Sequence, residues 1–182
     1  LETTLVPNNN AQQKQVIWVD FDNDGDKDLY VSGDVDGSRL YRNDVTVLND
    51  VTIACGLPIA AQDNFGASWG DYNNDGYLDV FLCNRGFSAP QQNYLYKNNG
   101  DGTFSNVSNA AGISTGSFLS FCSAFFDYNN DGWQDIYIAN DKINTKNILY
   151  KNNGDGTFSD VSESSGTDIA IDAMSVTITD YN

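Results

Sequence analysis

The chain has 182 residues, of which 40% are hydrophobic and 13% aromatic, enough to bury the core of one globular domain. Its 9 Lys and Arg residues against 25 Asp and Glu residues give a formal net charge of -16. This charge would repel nucleic acid and anionic membrane surfaces, so we expect cations as partners. The chain contains no His, which excludes Ser-His-Asp and Cys-His catalysis within it and His-ligated zinc.

The cysteines and the hydrophobic runs restrict the possibilities further. Cys55, Cys83 and Cys122 show no CxxC spacing, so neither a zinc knuckle nor a redox motif is predicted. We expect buried free thiols, with one disulfide as the alternative. No run is long enough for a membrane-spanning helix and the start lacks the pattern of a signal peptide, so we expect no membrane insertion. Because the first residue is Leu1, we expect a processed or excerpted piece of a longer protein.

A nine-residue acidic segment occurs three times, at 20–28, 71–79 and 127–135. A fourth copy begins at Asp180 and stops at Asn182. The intervals between the first aspartates are 51, 56 and 53 residues, from the differences between positions 20, 71, 127 and 180. Periods of this size are typical of propeller blades rather than of helical repeats.

Three further segments follow each acidic segment in the same order. The first is an apolar strand, at 29–31, 80–82 and 136–138. The second is a Leu-Tyr-[Arg/Lys]-Asn strand, at 40–43, 95–98 and 149–152. The third is a small-residue segment that ends the unit, at 54–57, 110–113 and 164–166.

The second and third units also contain the same turn, Asn-Gly-Asp-Gly-Thr-Phe, at 99–104 and 153–158. Asn-Gly and Asp-Gly supply the positive φ angles of tight turns, so each copy predicts a hairpin between antiparallel strands. The first unit has Asp44-Val45-Thr46 at this place instead.

These patterns predict an all-β fold of about three and a half four-stranded antiparallel β-propeller blades. The strands after the acidic segments are apolar at every position, so both of their faces must be covered, as they are when blades stack around an axis. We expect little or no helix. The predicted units are an N-terminal strand or linker at 1–15, blade units at 16–57, 58–113 and 114–166, and the start of a fourth unit at 167–182.

The acidic segments have the form D-x-[DN]-x-D-G-x-x-D, which predicts a calcium loop. Side chains at positions 1, 3, 5 and 9 can converge because Gly at position 6 permits a sharp turn, and the carbonyl at position 7 adds a ligand. An all-oxygen ligand set favours Ca²⁺, with Mg²⁺ or Mn²⁺ as weaker candidates. We therefore expect about three Ca²⁺ ions. The candidate metal ligands are Asp20, Asp22, Asp24, Asp26, Asp28, Asp71, Asn73, Asp75, Tyr77, Asp79, Asp127, Asn129, Asp131, Trp133 and Asp135, with Asp26, Tyr77 and Trp133 contributing their carbonyls.

Two alternatives to this metal site are an EF-hand and a set of ordinary acidic turns. An EF-hand needs Glu at position 12 and flanking helices, whereas position 12 is Val31, Leu82 or Ile138. Three copies that keep the same positions argue against turns that are merely solvated. The first loop has four ligand carboxylates, while Asn73 and Asn129 replace one in the other loops, so we predict that the first loop binds calcium tightest.

The run from Phe65 to Val80, Phe-Gly-Ala-Ser-Trp-Gly-Asp-Tyr-Asn-Asn-Asp-Gly-Tyr-Leu-Asp-Val, resembles the FG-GAP/VCBS repeats of secreted proteins. The units are also similar to the calcium-binding blades of integrin α-subunits and to the cartilage-acidic-protein-like group. The resemblance covers nearly all of the chain from about residue 16. It implies a propeller of about seven blades, an extracellular setting and a role in adhesion or ligand binding. Since a propeller ring needs at least four blades, we expect further blades from the same chain or another copy.

The functional prediction is a secreted or cell-surface calcium-binding module, not an enzyme, that binds a glycan or an extracellular protein. Two alternatives remain open: part of a secreted polysaccharide-active lyase or hydrolase, and a structural element of a surface assembly. The acidic residues outside the loops that are least metal-like are Asp34, Asp36, Asp63 and Asp141. They show no pairing that indicates catalysis.

Overall fold

The computed structural model describes residues 13–33, 37–58, 64–86, 91–113 and 119–179. Blade 1 consists of β1 (Gln13–Val19), β2 (Asp28–Gly33), β3 (Arg39–Asn43) and β4 (Leu48–Asp50). Blade 2 consists of β5 (Asn64–Gly70), β6 (Asp79–Asn84), β7 (Tyr94–Asn98) and β8 (Phe104–Asn106). Blade 3 consists of β9 (Ser120–Phe126), β10 (Asp135–Asn140), β11 (Ile148–Asn152) and β12 (Phe158–Asp160), and is followed by the helix α1 (Ser162–Ser165).

Each blade is a four-stranded antiparallel sheet whose strands lie in the order of the sequence. The prediction of an all-β fold made of four-stranded blades is therefore confirmed. The hairpin predicted at 99–104 joins β7 to β8, with the amide of Asn99 donating to the carbonyl of Thr103 at 2.9 Å. Among the described residues, no helix is long and apolar enough to cross a membrane.

The hydrophobic core lies between the blades. Every residue of β2 and β6 is buried, as the continuous apolar pattern predicted. In β6, Val80 and Leu82 pack with blade 1, whereas Phe81 and Cys83 pack with blade 3. Alternate side chains of one strand thus enter two different cores, and a blade without its neighbours would expose large apolar surface.

The first strands of neighbouring blades approach closely. The hydroxyls of Ser68 in β5 and Ser123 in β9 are hydrogen-bonded at 2.7 Å. Between blades 1 and 2, Trp69 packs edge-on against Tyr30 with ring centroids 5.6 Å apart. The corresponding Trp18 of blade 1 is 59% exposed.

The part of the chain predicted to begin a fourth unit has no regular secondary structure from 171 to 179. Asp180 and Asn182 lie outside the described residues. The three cysteines are free, with Cys55 and Cys83 buried and Cys122 partly buried.

Gly66 lies in the interface between blades 2 and 3, at a point where the backbones of β5 and β9 approach closely. A Cβ atom at this position would lie 2.6 Å from the carbonyl oxygen of Phe121 and 3.2 Å from the Cα atom of Cys122. Both are backbone atoms, so relieving the overlap would require β5 and β9 to move apart.

We predict that Gly66→Ala lowers the free energy of unfolding by about 2 to 3 kcal/mol because the seam between the blades becomes overpacked. Chemical denaturation measures this loss. The control is Ser105→Ala on the exposed side of β8, which should change the free energy by less than about 0.5 kcal/mol. Equal stability of the two variants would show that the seam can relax.

Candidate metal-binding loops

Each acidic segment connects the first strand of a blade to the second strand. Residues at position 4 adopt positive φ angles, which are 60° for Asn23, 56° for Asn74 and 58° for Asn130. The glycines at position 6 do the same, for example at 97° for Gly25. Left-handed residues on either side of position 5 fold the segment back on itself, and Asn and Gly tolerate this conformation best.

The aspartate at position 9 is fully buried in all three loops: Asp28, Asp79 and Asp135 each have 0% exposure. In blade 2, Oδ2 of Asp79 accepts from the amide of Tyr72 at 3.2 Å and Oδ1 accepts from the amide of Asn98 at 2.8 Å. Asp28 and Asp135 make the same two bonds in their blades. One carboxylate therefore fastens the start of the loop and the end of the third strand to the start of the second strand.

Burial raises the pKa of these aspartates. The pKa of Asp79 rises from 3.8 to about 7 and that of Asp28 to about 6, because burial penalises the charged form more than the backbone amides stabilise it. The pKa of Asp135 is raised for the same reason. A cation beside these carboxylates would offset that penalty.

Loop 1 (20–28) brings three carboxylates together. Oxygen atoms of Asp20, Asp22 and Asp28 lie within 4.8 Å of one another, close enough to hold a metal ion. Oδ1 of Asp20 and Oδ1 of Asp22 are buried and have no hydrogen-bond partner. Burial raises the pKa of Asp22, and the charges of Asp24 and Asp20 raise it further. Within the described residues, no other group of three Asp, Glu or Cys side chains meets this distance limit.

Loops 2 (71–79) and 3 (127–135) are held closed by their own hydrogen bonds. In loop 2, Asp71 accepts from the amides of Asp75 at 3.0 Å and Gly76 at 2.8 Å, and Asn73 also accepts from the amide of Asp75 at 3.0 Å. In loop 3, Asp127 and Asn129 accept the corresponding bonds. The position-1 and position-3 oxygens of these two loops therefore accept backbone hydrogen bonds. In loop 1, Oδ2 of Asp20 accepts the same bond from Gly25 at 3.2 Å, but Oδ1 of Asp20 and Oδ1 of Asp22 accept none.

In loops 2 and 3, a lysine from the third strand forms an ion pair with the aspartate at position 5. Nζ of Lys97 lies 3.4 Å from Oδ2 of Asp75, and Nζ of Lys151 lies 3.3 Å from Oδ2 of Asp131. In blade 1 the equivalent residue, Arg42, pairs instead with Asp44 at 3.0 Å. Among the described residues, Asp24 at position 5 of loop 1 therefore makes no such ion pair, unlike Asp75 and Asp131.

The position-7 aromatic residues pack against the hairpin turn of their own blade. A Cβ atom at Gly100 would lie 2.9 Å from the ring of Tyr77, and one at Gly154 would lie 3.0 Å from the indole of Trp133. In blades 2 and 3, the recurring turn therefore packs against the recurring loop of the same blade. In loop 1, where the turn is absent, position 7 is Asp26.

Neighbouring loops are joined by asparagines whose role the sequence did not reveal. Nδ2 of Asn23 donates to the carbonyl of Gly76 at 2.8 Å, and Nδ2 of Asn74 donates to the carbonyl of Gly132 at 3.1 Å. In the opposite direction, Nδ2 of Asn98 donates to the carbonyl of Phe21 at 2.7 Å. The only available signal was the recurrence of Asn at position 4 and at the end of the third strand.

Of the four least metal-like acidic residues outside the loops, only Asp141 lies in the described part of the chain. Asp141 makes an ion pair with Arg85 at 2.5 Å, which joins blades 2 and 3. Asp34, Asp36 and Asp63 lie outside the described residues.

The sequence profile of the FG-GAP-like repeat matches residues 20–82, 71–138 and 127–182. The chain belongs to the FG-GAP-like repeat family. Each of the first two matches begins at the first aspartate of one loop and extends into the second strand of the next blade. The profile repeat therefore spans the seam between two blades.

A search of curated proteins gives no match. Among solved structures, the FG-GAP-like repeats are similar to a lectin of Agrocybe aegerita described as recognising non-reducing terminal N-acetylglucosamine. The identity is 22% and the TM-score is 0.45, over 80% of this chain and 37% of the lectin. The chain thus spans little more than a third of that protein's length.

The raised pKa values predict how the stability of the metal-free protein depends on pH. Between about pH 4 and pH 7 folded Asp79 retains a proton that the unfolded chain has released, so its contribution to stability is complete below about pH 4 and is lost as the pH rises through about 7. Asp28 acts in the same direction up to about pH 6. With a chelator present, Tm should therefore fall between pH 5 and pH 7.5.

Asp79→Asn should reduce the slope of Tm against pH over this range. Asp101→Asn is the matched control, because Asp101 is exposed and its hydrogen bonds with Thr103 lower its pKa, so its titration is complete below pH 5. A metal-free Tm that rises from pH 5 to pH 7.5 would contradict the assignment.

Proposed function

We propose that the chain is a calcium-stabilised binding module of a secreted or cell-surface protein. The observation that carries this proposal is the cluster of Asp20, Asp22 and Asp28, in which two buried carboxylate oxygens lack a partner. Buried polar atoms in folded proteins almost always have a hydrogen-bond partner, an ordered water or an ion. Buried carboxylates in particular are paired or coordinate a metal.

The chemistry of the cluster fits Ca²⁺. All of its donors are oxygens, and calcium accepts six to eight oxygen ligands in flexible geometry. Asp20, Asp22, Asp24 and Asp28 would hold the ion in loop 1, together with the carbonyl of Asp26. The corresponding positions of loops 2 and 3 would hold two further ions, namely Asp71, Asn73, Asp75, Tyr77 and Asp79, and Asp127, Asn129, Asp131, Trp133 and Asp135.

The three loops should differ in affinity. In loop 1 the carboxylates of Asp20, Asp22 and Asp28 already converge, and among the described residues no lysine forms an ion pair with Asp24. In loops 2 and 3 the ion would have to displace Lys97 or Lys151 and turn Asn73 or Asn129 away from the backbone. These differences support the prediction that loop 1 binds calcium tightest.

Calcium would act here by stabilising the blades. Each ion neutralises two charges, so three ions would change the net charge from -16 to -10. A site occupied at about 100 times its dissociation constant stabilises the folded state by about 2.7 kcal/mol. This is a large fraction of the stability of a typical domain.

The proposed setting follows from the affinity class of such sites and from the family. Extracellular calcium modules often have dissociation constants of about 10⁻⁴ to 10⁻³ M, which calcium outside cells can satisfy. The proposed target is a glycan or an extracellular protein, bound without catalysis. In this proposal the carboxylates of the described loops bind the metal and accept hydrogen bonds from backbone amides. The exposed Trp18 supports a further blade packed on blade 1, from the same chain or another copy.

We predict that calcium added to the chelated protein raises Tm by roughly 5 to 10 °C at saturation of the tightest site, with about three ions counted by isothermal titration calorimetry. Asp22→Ala should remove most of this rise, because it takes both position-3 oxygens from the preformed site, whereas Asn, as in loops 2 and 3, would keep one. Asp172→Asn, which removes one charge from an exposed position outside the loops, should retain the rise. If calcium neither binds nor changes Tm, the loops are acidic turns.

A further inference from the structure

The position-4 asparagine of one loop holds a peptide group of the next loop. The carbonyl that Asn23 contacts, that of Gly76, belongs to the same planar peptide as the amide of Tyr77. That amide donates to Oδ1 of Asp75 at 3.1 Å. Asn74 of loop 2 reaches loop 3 in the same way, because the amide after Gly132 belongs to Trp133 and donates to Asp131 at 3.0 Å. Loops 1 and 2 thus each orient the peptide that holds the position-5 carboxylate of the next loop.

A second contact runs in the opposite direction across each seam. Asn98 of blade 2 holds the carbonyl of Phe21, which shares a peptide with the amide of Asp22, a candidate ligand of loop 1. Asn98 also donates its own backbone amide to Asp79 of loop 2. Between blades 2 and 3, Asn152 holds the carbonyl of Tyr72 at 2.8 Å and donates its amide to Asp135 at 2.7 Å.

We propose that these asparagines couple the loops, so that a cation bound at one loop raises the affinity of the next. This inference rests on the proposed function and concerns residues outside its ligand set. Asn23 and Asn74 are positioning residues: they touch no proposed ion and act through the Gly76–Tyr77 and Gly132–Trp133 peptides. Because coupling between binding sites is reciprocal, the occupied successor also raises the affinity of its predecessor.

The contribution of the hydrogen bond between Asn74 and Gly132 to stability can be measured without metal. Asn74→Gly removes the amide but keeps the left-handed conformation, which Gly tolerates at no steric cost. Asn130→Gly is the matched control, because Asn130 has the same conformation and no described residue accepts a hydrogen bond from its side chain. In chelator, Asn74→Gly should lower Tm more than Asn130→Gly. Equal values of Tm would overturn the proposal, whether or not the loops bind metal.

The coupling is tested with Tb³⁺, whose luminescence at loop 3 is sensitised by Trp133 and is identified by its loss in Trp133→Phe. Asp71→Asn, which disables loop 2, should weaken Tb³⁺ binding at loop 3 by about fivefold or more. Asn74→Gly should weaken it similarly, and the double variant should be no weaker than either single variant. Unchanged affinity at loop 3 in Asp71→Asn would overturn the coupling, whereas loss of Tb³⁺ and Ca²⁺ binding in every protein would overturn the proposed function itself.

Discussion

A buried carboxylate at the start of each second strand connects three parts of the backbone that are distant in the sequence of a blade. Asp79 accepts hydrogen bonds from the start of its own loop and from the end of β7, so loop shape and strand pairing are set together. The same group accounts for the electrostatic character of the site. A carboxylate with no exposure beside two or three others is stable only when backbone amides, protons or a cation compensate its charge. The loop therefore supports the sheet, and its buried negative charge would be stabilised by a bound cation.

The packing places these carboxylate-rich loops at the interfaces between neighbouring blades, which we call seams. Because alternate side chains of β6 enter the cores on either side, the blades depend on one another for their burial of apolar surface. The loops cross the same seams through Asn23, Asn74 and Asn98. An ion that orders one loop consequently acts on an interface between blades and not on an isolated surface turn. If the loops bind metal as proposed, stability and metal occupancy would be linked by this shared location.

Much of the fold follows from local patterns, which is why the repeat, the four-stranded blades and the hairpin at 99–104 could be predicted. Convergence of Asp20, Asp22 and Asp28 was also predictable, since all three belong to one nine-residue segment. The ion pair between Lys97 and Asp75 was not predictable, because a charged residue on a strand indicates only that its side chain is exposed. The contacts of Asn23 with Gly76 and of Asn98 with Phe21 join residues 53 and 77 positions apart. A pattern within one unit of the sequence does not indicate which residues of different units contact each other. Gly66 is another example, since only the approach of β9 shows why a side chain is excluded there.

The seam contacts also bear on how a chain of this kind can grow. In the described blades, the donors are Asn at position 4 and Asn at the end of the third strand, and the acceptors are the carbonyls at positions 6 and 2 of a loop. Each of them occupies a fixed position within the repeating unit. A duplicated gene segment encoding one unit would therefore carry both halves of the contact from the start. The new copy could join its neighbours without any compensating substitution. Lengthening by internal duplication is structurally inexpensive for such a chain, whereas inserting an unrelated segment inside a loop would break two seams at once.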